Sequence, residues 1–287
     1  MGPEAIREKH LPTPELEENI GLFYQSTDFE KLSANSKIAY RGDLVQFLNF
    51  LKENGISSLP QISQQKTAEF INQFNSPTAL RKQATLNKFL KWANLFETKG
   101  QKPVNEIRPL VYLTQDEQHQ LLLIASKHKP ENVSVRWIAL IEILLATGAK
   151  PSETIALNIE DIDKLGNTPI ALRFTNGKNQ RAVFLEKKTQ LALKNLLGIL
   201  PDKKGPLFKN QKCNRRLTRQ SINLFLKKLG LEIGRGDLNP RILRNTFIMN
   251  FAGNPEDLTM QLGIGSQSLC VKTLERKKLT LKNLGKH

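Results

Sequence analysis

The residues in this chain most able to do chemistry are cations. Lys203, Lys204, Lys209, Lys212, Arg215, Arg216, Arg219, Lys227 and Lys228 put nine cations into 26 residues without one acidic side chain. Guanidinium and ammonium groups at that density suit phosphate oxygens, the first by a planar fork and the second as a point charge. A second set, Arg81, Lys82, Lys88 and Lys91, occupies an acid-free stretch between Thr78 and Phe96. Its spacing places it on one helix face, where it suits DNA contact and equally an ordinary solvated surface. The whole chain carries 43 Lys and Arg against 27 Asp and Glu, a net charge of +16 over 287 residues. That balance points to a polyanionic partner, although a ribosome or a membrane surface would answer the charge alone.

Other chemistries find little support. His10, His119, His128 and His287 are scattered, and Cys213 and Cys270 form no CxxC pair. No zinc site, other metal site or cofactor is expected from such spacing. The polar beginning MGPEAIREKHLPTPELEE is unlike a signal peptide, and no apolar run approaches membrane-spanning length. The chain is expected to be cytoplasmic and nucleoid-associated, with no membrane partner.

The elements that must carry these cations read mainly as helix. After a leader at 1–15, helical periodicity fills 16–97. One helix covers Leu16 to Tyr24. The next starts at Asn35 or Ser36 and ends at Gly55, and Ser63 caps a third. Ser76 caps a fourth, with Pro77 in its first turn. Gly100, Pro103 and Pro109 mark a linker at 98–111. Thr114 and Glu117 then form a capping box, and an apolar helix from Val133 to Thr147 closes on Gly148. The period changes at 168–185, where Asn176-Gly177 separates two alternating runs, as in a small antiparallel sheet. Helices resume at Lys187–Leu200 and at Thr218–Leu229. The fold expected is mainly α with a small antiparallel β-sheet.

The order and several motifs resemble the tyrosine recombinase, or phage integrase, family from about residue 16 to 275. SANSKIAYRGDLVQFLNFL is similar to the second helix of that family's core-binding domain. YLTQDEQHQLL is similar to the opening of its catalytic domain. In ATGAKPSETIAL, Lys150 stands where the family has its first arginine. In TNGKNQRAVFL, Lys178 occupies the place of the hairpin lysine. In NPRILRNTF, Arg241 replaces a histidine, Arg244 keeps the second arginine and Asn245 replaces another histidine. In QLGIGSQSLCVKTLERK, Ile264 takes the third basic position, and the nucleophilic tyrosine position falls near Thr273. The chain's three tyrosines, Tyr24, Tyr40 and Tyr112, all precede this region.

The resemblance implies a two-domain clamp on double-stranded DNA. A helical core-binding domain at 16–97 and a catalytic-type domain at 112–275 would be followed by a basic tail at 276–287. It also implies a phosphate cradle of Lys150, Lys178, Arg241 and Arg244. Arginine cannot move protons near neutrality, and isoleucine can neither donate a hydrogen bond nor carry charge. Covalent catalysis needs a positioned nucleophile. The expectation is therefore a non-enzymatic DNA-binding protein, a transcriptional regulator or an architectural nucleoid factor. The DNA contacts would come from the cradle, from Arg81, Lys82, Lys88 and Lys91, and from Lys212, Arg215, Arg216 and Arg219. The alternative is a divergent site-specific recombinase using another nucleophile, with Cys270 and Thr273 nearest, or one lent by a partner. The protein partner would be a second copy of the chain or an active recombinase.

Overall fold

The amphipathic stretches fold as helices around separate apolar cores in the two units of the chain, Met1–Asn105 and Glu106–His287. The computed structural model describes residues 16–98, 107–176, 179–210 and 214–285. The leader at 1–15, most of the expected linker, Lys178, Lys212 and Cys213 lie outside the described residues.

The first unit contains α1 (Leu16–Gln25), α2 (Thr27–Glu30), α3 (Ala34–Glu53), α4 (Gln64–Asn72) and α5 (Ser76–Trp92). Phe23, Phe29, Phe47, Phe70 and Phe89 are fully or almost fully buried, with Leu44, Leu51, Leu86 and Leu90 between them. Phe23 meets Phe29 and Phe89 edge-on, each at 5.5 Å between ring centroids, a favourable arrangement of ring quadrupoles. Two helix starts differ from the sequence expectation. Ser33, not Asn35 or Ser36, caps α3 by accepting from the Ser36 amide. Asn75, not Ser76, caps α5 by accepting from the Thr78 amide. In each case a competent polar residue stood a place or more further upstream, and spacing alone could not rank the candidates.

Lys82 requires a correction, because it is not on a DNA-facing surface. It shares the inward stripe of α5 with Thr85, Leu86 and Phe89, and it is 1% exposed. Its ammonium donates to Asp43 Oδ1 at 2.9 Å and Gln46 Oε1 at 2.6 Å, and it faces the Phe74 ring at 4.4 Å. Arg81 and the Thr85 hydroxyl also donate to Asp43. Burial is tolerable because every charge in this cluster is met by an opposite charge or a hydrogen bond.

The second unit contains α6 (Gln115–Ser126), α7 (Glu131–Thr147), α8 (Pro151–Ala156), α9 (Lys187–Ile199), α10 (Arg219–Glu232), α11 (Pro240–Asn250), α12 (Pro255–Gln261) and α13 (Gln267–Leu284). Between α8 and α9 lies an antiparallel sheet, β1 (Ile162–Leu165), β2 (Thr168–Asn176) and β3 (Asn179–Phe184), ordered β1-β2-β3. The register sets Phe174 opposite Arg181 and Leu172 opposite Val183. Helix α7 is the central strut, with Leu140, Ile141, Ile143 and Leu144 all fully buried. Thr114 and Glu117 cap α6 reciprocally, and Thr218 caps α10. No helix among the described residues is long and apolar enough to cross a membrane.

The end of α7 is sterically tight. Gly148 adopts the left-handed conformation, with φ at +58°. A Cβ there would stand 2.4 Å from Phe247 Cδ1 and 2.8 Å from Leu262 Cδ2. Left-handed strain of about 1–2 kcal/mol and overpacking of about 1–3 kcal/mol act together. Gly148→Ala is therefore expected to lose about 2 to 5 kcal/mol of stability. A thermal melt matching that of the unmodified chain would contradict this packing.

Residues 276–284 also differ from the expected tail. They form the second half of α13, which is fastened to its own unit. The buried Thr280 Oγ1 accepts from the Leu110 amide at 2.7 Å, Lys277 donates to the Phe251 carbonyl at 2.7 Å and Arg276 to that of Arg108 at 3.0 Å.

Candidate active site and nucleic-acid interface

The turn after Gly148 leads directly into α8, with Pro151 at its first position. Glu153, one turn along, reaches back and accepts from the Lys150 amide at 2.8 Å. This explains the Ser-Glu pair of ATGAKPSETIAL, since a carboxylate at that position ties down the start of its own helix. It also fixes the backbone of Lys150, whose side chain is exposed.

Glu153 has a stronger partner, which sequence reasoning missed. Arg181 on β3 grips it with both ends of its guanidinium, at 2.9 and 3.2 Å. The side chains are 10% and 4% exposed. Arg181 Nε donates to the Gln261 carbonyl at 2.7 Å, and the guanidinium lies 4.7 Å from the centre of the Phe174 ring. Burial pushes the Glu153 carboxyl up. The Arg181 guanidinium and the Lys150 amide outweigh burial and hold it below the usual carboxylate range. One signal was available: alternation along β3 puts Arg181 on the same face as the buried Val183. An inward arginine on a short strand needs a buried acid, and SETIAL offered one.

Arg244 on α11 ties three segments together. It donates to the Gly148 carbonyl through Nη1 and to the Leu262 carbonyl at 3.0 Å through Nη2. Burial lowers its hold on its proton and nearby Glu153 raises it, while Arg181 adds to the lowering. Arg241 lies three residues earlier on the same helix and is exposed. The Glu153 carboxylate therefore pairs with Arg181, while Arg241 and Arg244 line an open cleft.

Lys150, Arg219, Arg241 and Arg244 meet around an open cleft of about 740 Å³, with no acidic side chain in its lining. Gln220 and Asn223, from the start of α10, share that lining. The chemistry such a cleft offers is phosphate binding with amides alongside, the donor set suited to nucleic-acid contacts. The remaining sequence candidates fall elsewhere. Arg215 is exposed outside the cleft lining. Arg216 turns inward and donates to the Ile155 and Leu157 carbonyls at 2.6 and 2.9 Å and to Asn158 Oδ1 at 2.7 Å. It satisfies carbonyls at the end of α8 and is unavailable as a DNA contact, which corrects its assignment. Arg81, Lys88 and Lys91 belong to the first unit. Arg81 is joined to Asp43, and Lys91 lies 3.9 Å from Glu97.

Ile264 packs against the small core of Leu110, Phe247, Ile248, Leu258 and Leu262. The Thr273 hydroxyl donates to the Leu269 carbonyl at 2.8 Å, and Cys270 Sγ lies 3.8 Å from the Ile264 carbonyl. Neither residue lines the cleft. Among the described residues, no cluster of three or more His, Cys, Asp or Glu side chains could hold a metal ion.

Comparison with known proteins decides what this geometry belongs to. Residues 111–262 match the phage integrase family, and residues 27–95 match the phage integrase N-terminal SAM-like domain. The chain is a member of the phage integrase family. The match to the catalytic part ends at Leu262, before α13. Tyrosine recombinase XerC of Roseiflexus castenholzii is 29% identical over 80% of this chain and 79% of its own length. Tyrosine recombinase XerD of Oceanobacillus iheyensis is 31% identical over 81% of this chain and 75% of its own.

Solved structures show the same fold. The XerH recombinase in a post-cleavage complex with palindromic difH substrate superposes with a TM-score of 0.73. It is 18% identical and covers 94% of this chain and 87% of its own. A lambda integrase dimer bound to a COC′ core site also gives 0.73, at 13% identity over 92% and 78%.

The relatives correct the functional expectation. They are named as recombinases, which are enzymes, and they align along four-fifths of this chain. The expectation of a non-enzymatic regulator or nucleoid factor, based on lost proton-transfer groups, is overturned. Degeneracy at single positions described the local chemistry and was too narrow a basis for the role of the whole protein.

Proposed function

We propose that the chain is a site-specific DNA recombinase whose cleft binds and activates the scissile phosphate, with the attacking oxygen supplied by the tyrosine of a partner recombinase. The observation that carries this reading is the cleft itself. Four cations converge there without an acid, while Tyr24, Tyr40 and Tyr112 are the chain's only tyrosines and none lines it. Guanidinium groups placed around a phosphate stabilise the charge that builds on its oxygens. The partner's tyrosine oxygen would bond to phosphorus and lose its proton to solvent. The bond to the 5′ oxygen would break, and that oxygen would take a proton from the Lys150 ammonium, whose proton solvent restores. Internal nucleophiles are less well served, because the Thr273 hydroxyl already donates to the Leu269 carbonyl and neither Thr273 nor Cys270 lines the cleft. A recombinase of this kind works where the DNA lies, so nucleoid association and a partner recombinase belong to the same reading.

The test uses nicked suicide duplexes built from sequences that the full chain retains from a random pool. Mixed with a tyrosine-bearing recombinase from the same source, the chain is expected to raise denaturation-resistant adduct on the partner at least tenfold. That adduct should vanish when the partner's tyrosine is changed to phenylalanine. Adduct on this chain alone, lost in Thr273→Ala or Cys270→Ala, would replace the proposal with an internal nucleophile. No adduct in any arm would defeat it.

A further inference from the structure

The phosphate cleft lies beyond the end of α7, and a second charged feature lies near its beginning. Arg136 is half-buried, about 18 Å along the helix from Gly148 at 1.5 Å per residue. Its guanidinium lies 5.4 Å from the Trp137 ring, which stacks on Phe225 at 3.8 Å. Nη1 donates to the Lys209 carbonyl at 2.8 Å. Nε is buried and, among the described residues, has no acceptor. Burial lowers the group's hold on its proton, and no acid among the described residues opposes it. A buried donor without an acceptor, on a charge without a counter-charge, is costly to keep.

Arg136 borders a recess of about 380 Å³ whose lining includes Lys209, Asn132 and Asn214, with Leu196 and Leu207 as an apolar wall. Asp202 lines it too, but its carboxylate is already engaged by the Lys209 ammonium. That leaves the Arg136 charge without an ion-pair partner among the described residues. We infer that this recess binds an oxyanion of the phosphate class, with Arg136 as principal donor and the Asn132 and Asn214 amides beside it. Arginine suits such a ligand because its N–H groups match two oxygens at once. The oxyanion has two sources, a backbone phosphate of bound DNA or free inorganic phosphate.

Two measurements on the full chain separate the sources. In thermal melts, sodium phosphate is compared with sodium chloride at equal ionic strength. A phosphate-specific rise in Tm that is lost in Arg136→Gln identifies free phosphate as ligand. In DNA titrations, the slope of log affinity against log salt falling by about one in Arg136→Gln identifies a backbone phosphate. A second variant guards against misfolding. Asn132→Asp puts a carboxylate one turn before Arg136, where it can pair with the guanidinium. It is expected to leave the chain folded and abolish whichever response the unmodified chain shows. Responses retained in both variants overturn the inference. So does a chain that shows no phosphate shift and an unchanged salt slope in Arg136→Gln. The phosphate measurement is independent of recombination, so a failure of strand transfer leaves it intact.

Discussion

Arg181→Ala is expected to cost the second unit about 3 to 5 kcal/mol, the usual penalty for removing one partner of a buried ion pair. The loss exceeds the worth of the pair itself, because Glu153 stays buried with the Lys150 amide as its one remaining hydrogen-bond donor among the described residues. For a unit of this size, about 1 kcal/mol moves Tm by about 2–4 °C, so a fall of about 6 to 20 °C is expected.

The pH dependence tests the cause. The folded Glu153 carboxyl is held below its ordinary value of 4.5. Its stabilising contribution is therefore complete above that value and is lost as pH falls through the depressed folded value. In the variant, burial acts with little opposition, and the carboxyl takes up a proton more readily. The gap between the unmodified chain and the variant should shrink from pH 7 to pH 4 as protonation relieves the stranded charge. Urea midpoints at both pH values measure it. A gap independent of pH would mean that the penalty comes from lost packing over Phe174.

This pair also marks where sequence reading stopped. Helix spacing, the capping box at Thr114 and the glycine after Thr147 were legible because each is a local rule acting within a few residues. The cations of the cleft could be named individually. The resemblance grouped Lys150, Arg241 and Arg244 with Lys178. That Arg219 joins them could not be read, because it reaches the cleft only through the packing of α10 beside α8 and α11. The errors share one cause. Lys82 and Arg216 were counted as surface charges because a run of cations reads as solvated or phosphate-facing. A buried Asp43 and the carbonyls ending α8 claimed them instead. Both partners are remote in sequence, and no local period announces them. The functional error had another origin. Substituted positions were weighed one at a time, whereas alignment along most of the chain carries information that no single position holds.

Arg244→Ala is expected to reduce strand transfer in the mixed assembly by about 100- to 1,000-fold, the usual effect of removing one preorganised donor from a transition-state oxyanion. DNA affinity should fall far less, since one phosphate contact among several changes the salt slope by only about one. The contrast between a collapsed rate and modest binding is what separates an activating group from a holding group. Arg244 also braces the site through the Gly148 and Leu262 carbonyls, so a rate loss could arise from a loosened turn. The melting temperature reads the brace and the rate reads the phosphate contact. If Arg244 acts on the phosphate, Arg244→Lys, which keeps a positive charge, should recover part of the rate lost in Arg244→Ala. Both variants lose the paired carbonyl bonds and should melt at similarly lowered temperatures. Strand transfer at the unmodified rate in Arg244→Ala would leave the cleft as a DNA-holding surface and place phosphate activation wholly on the partner.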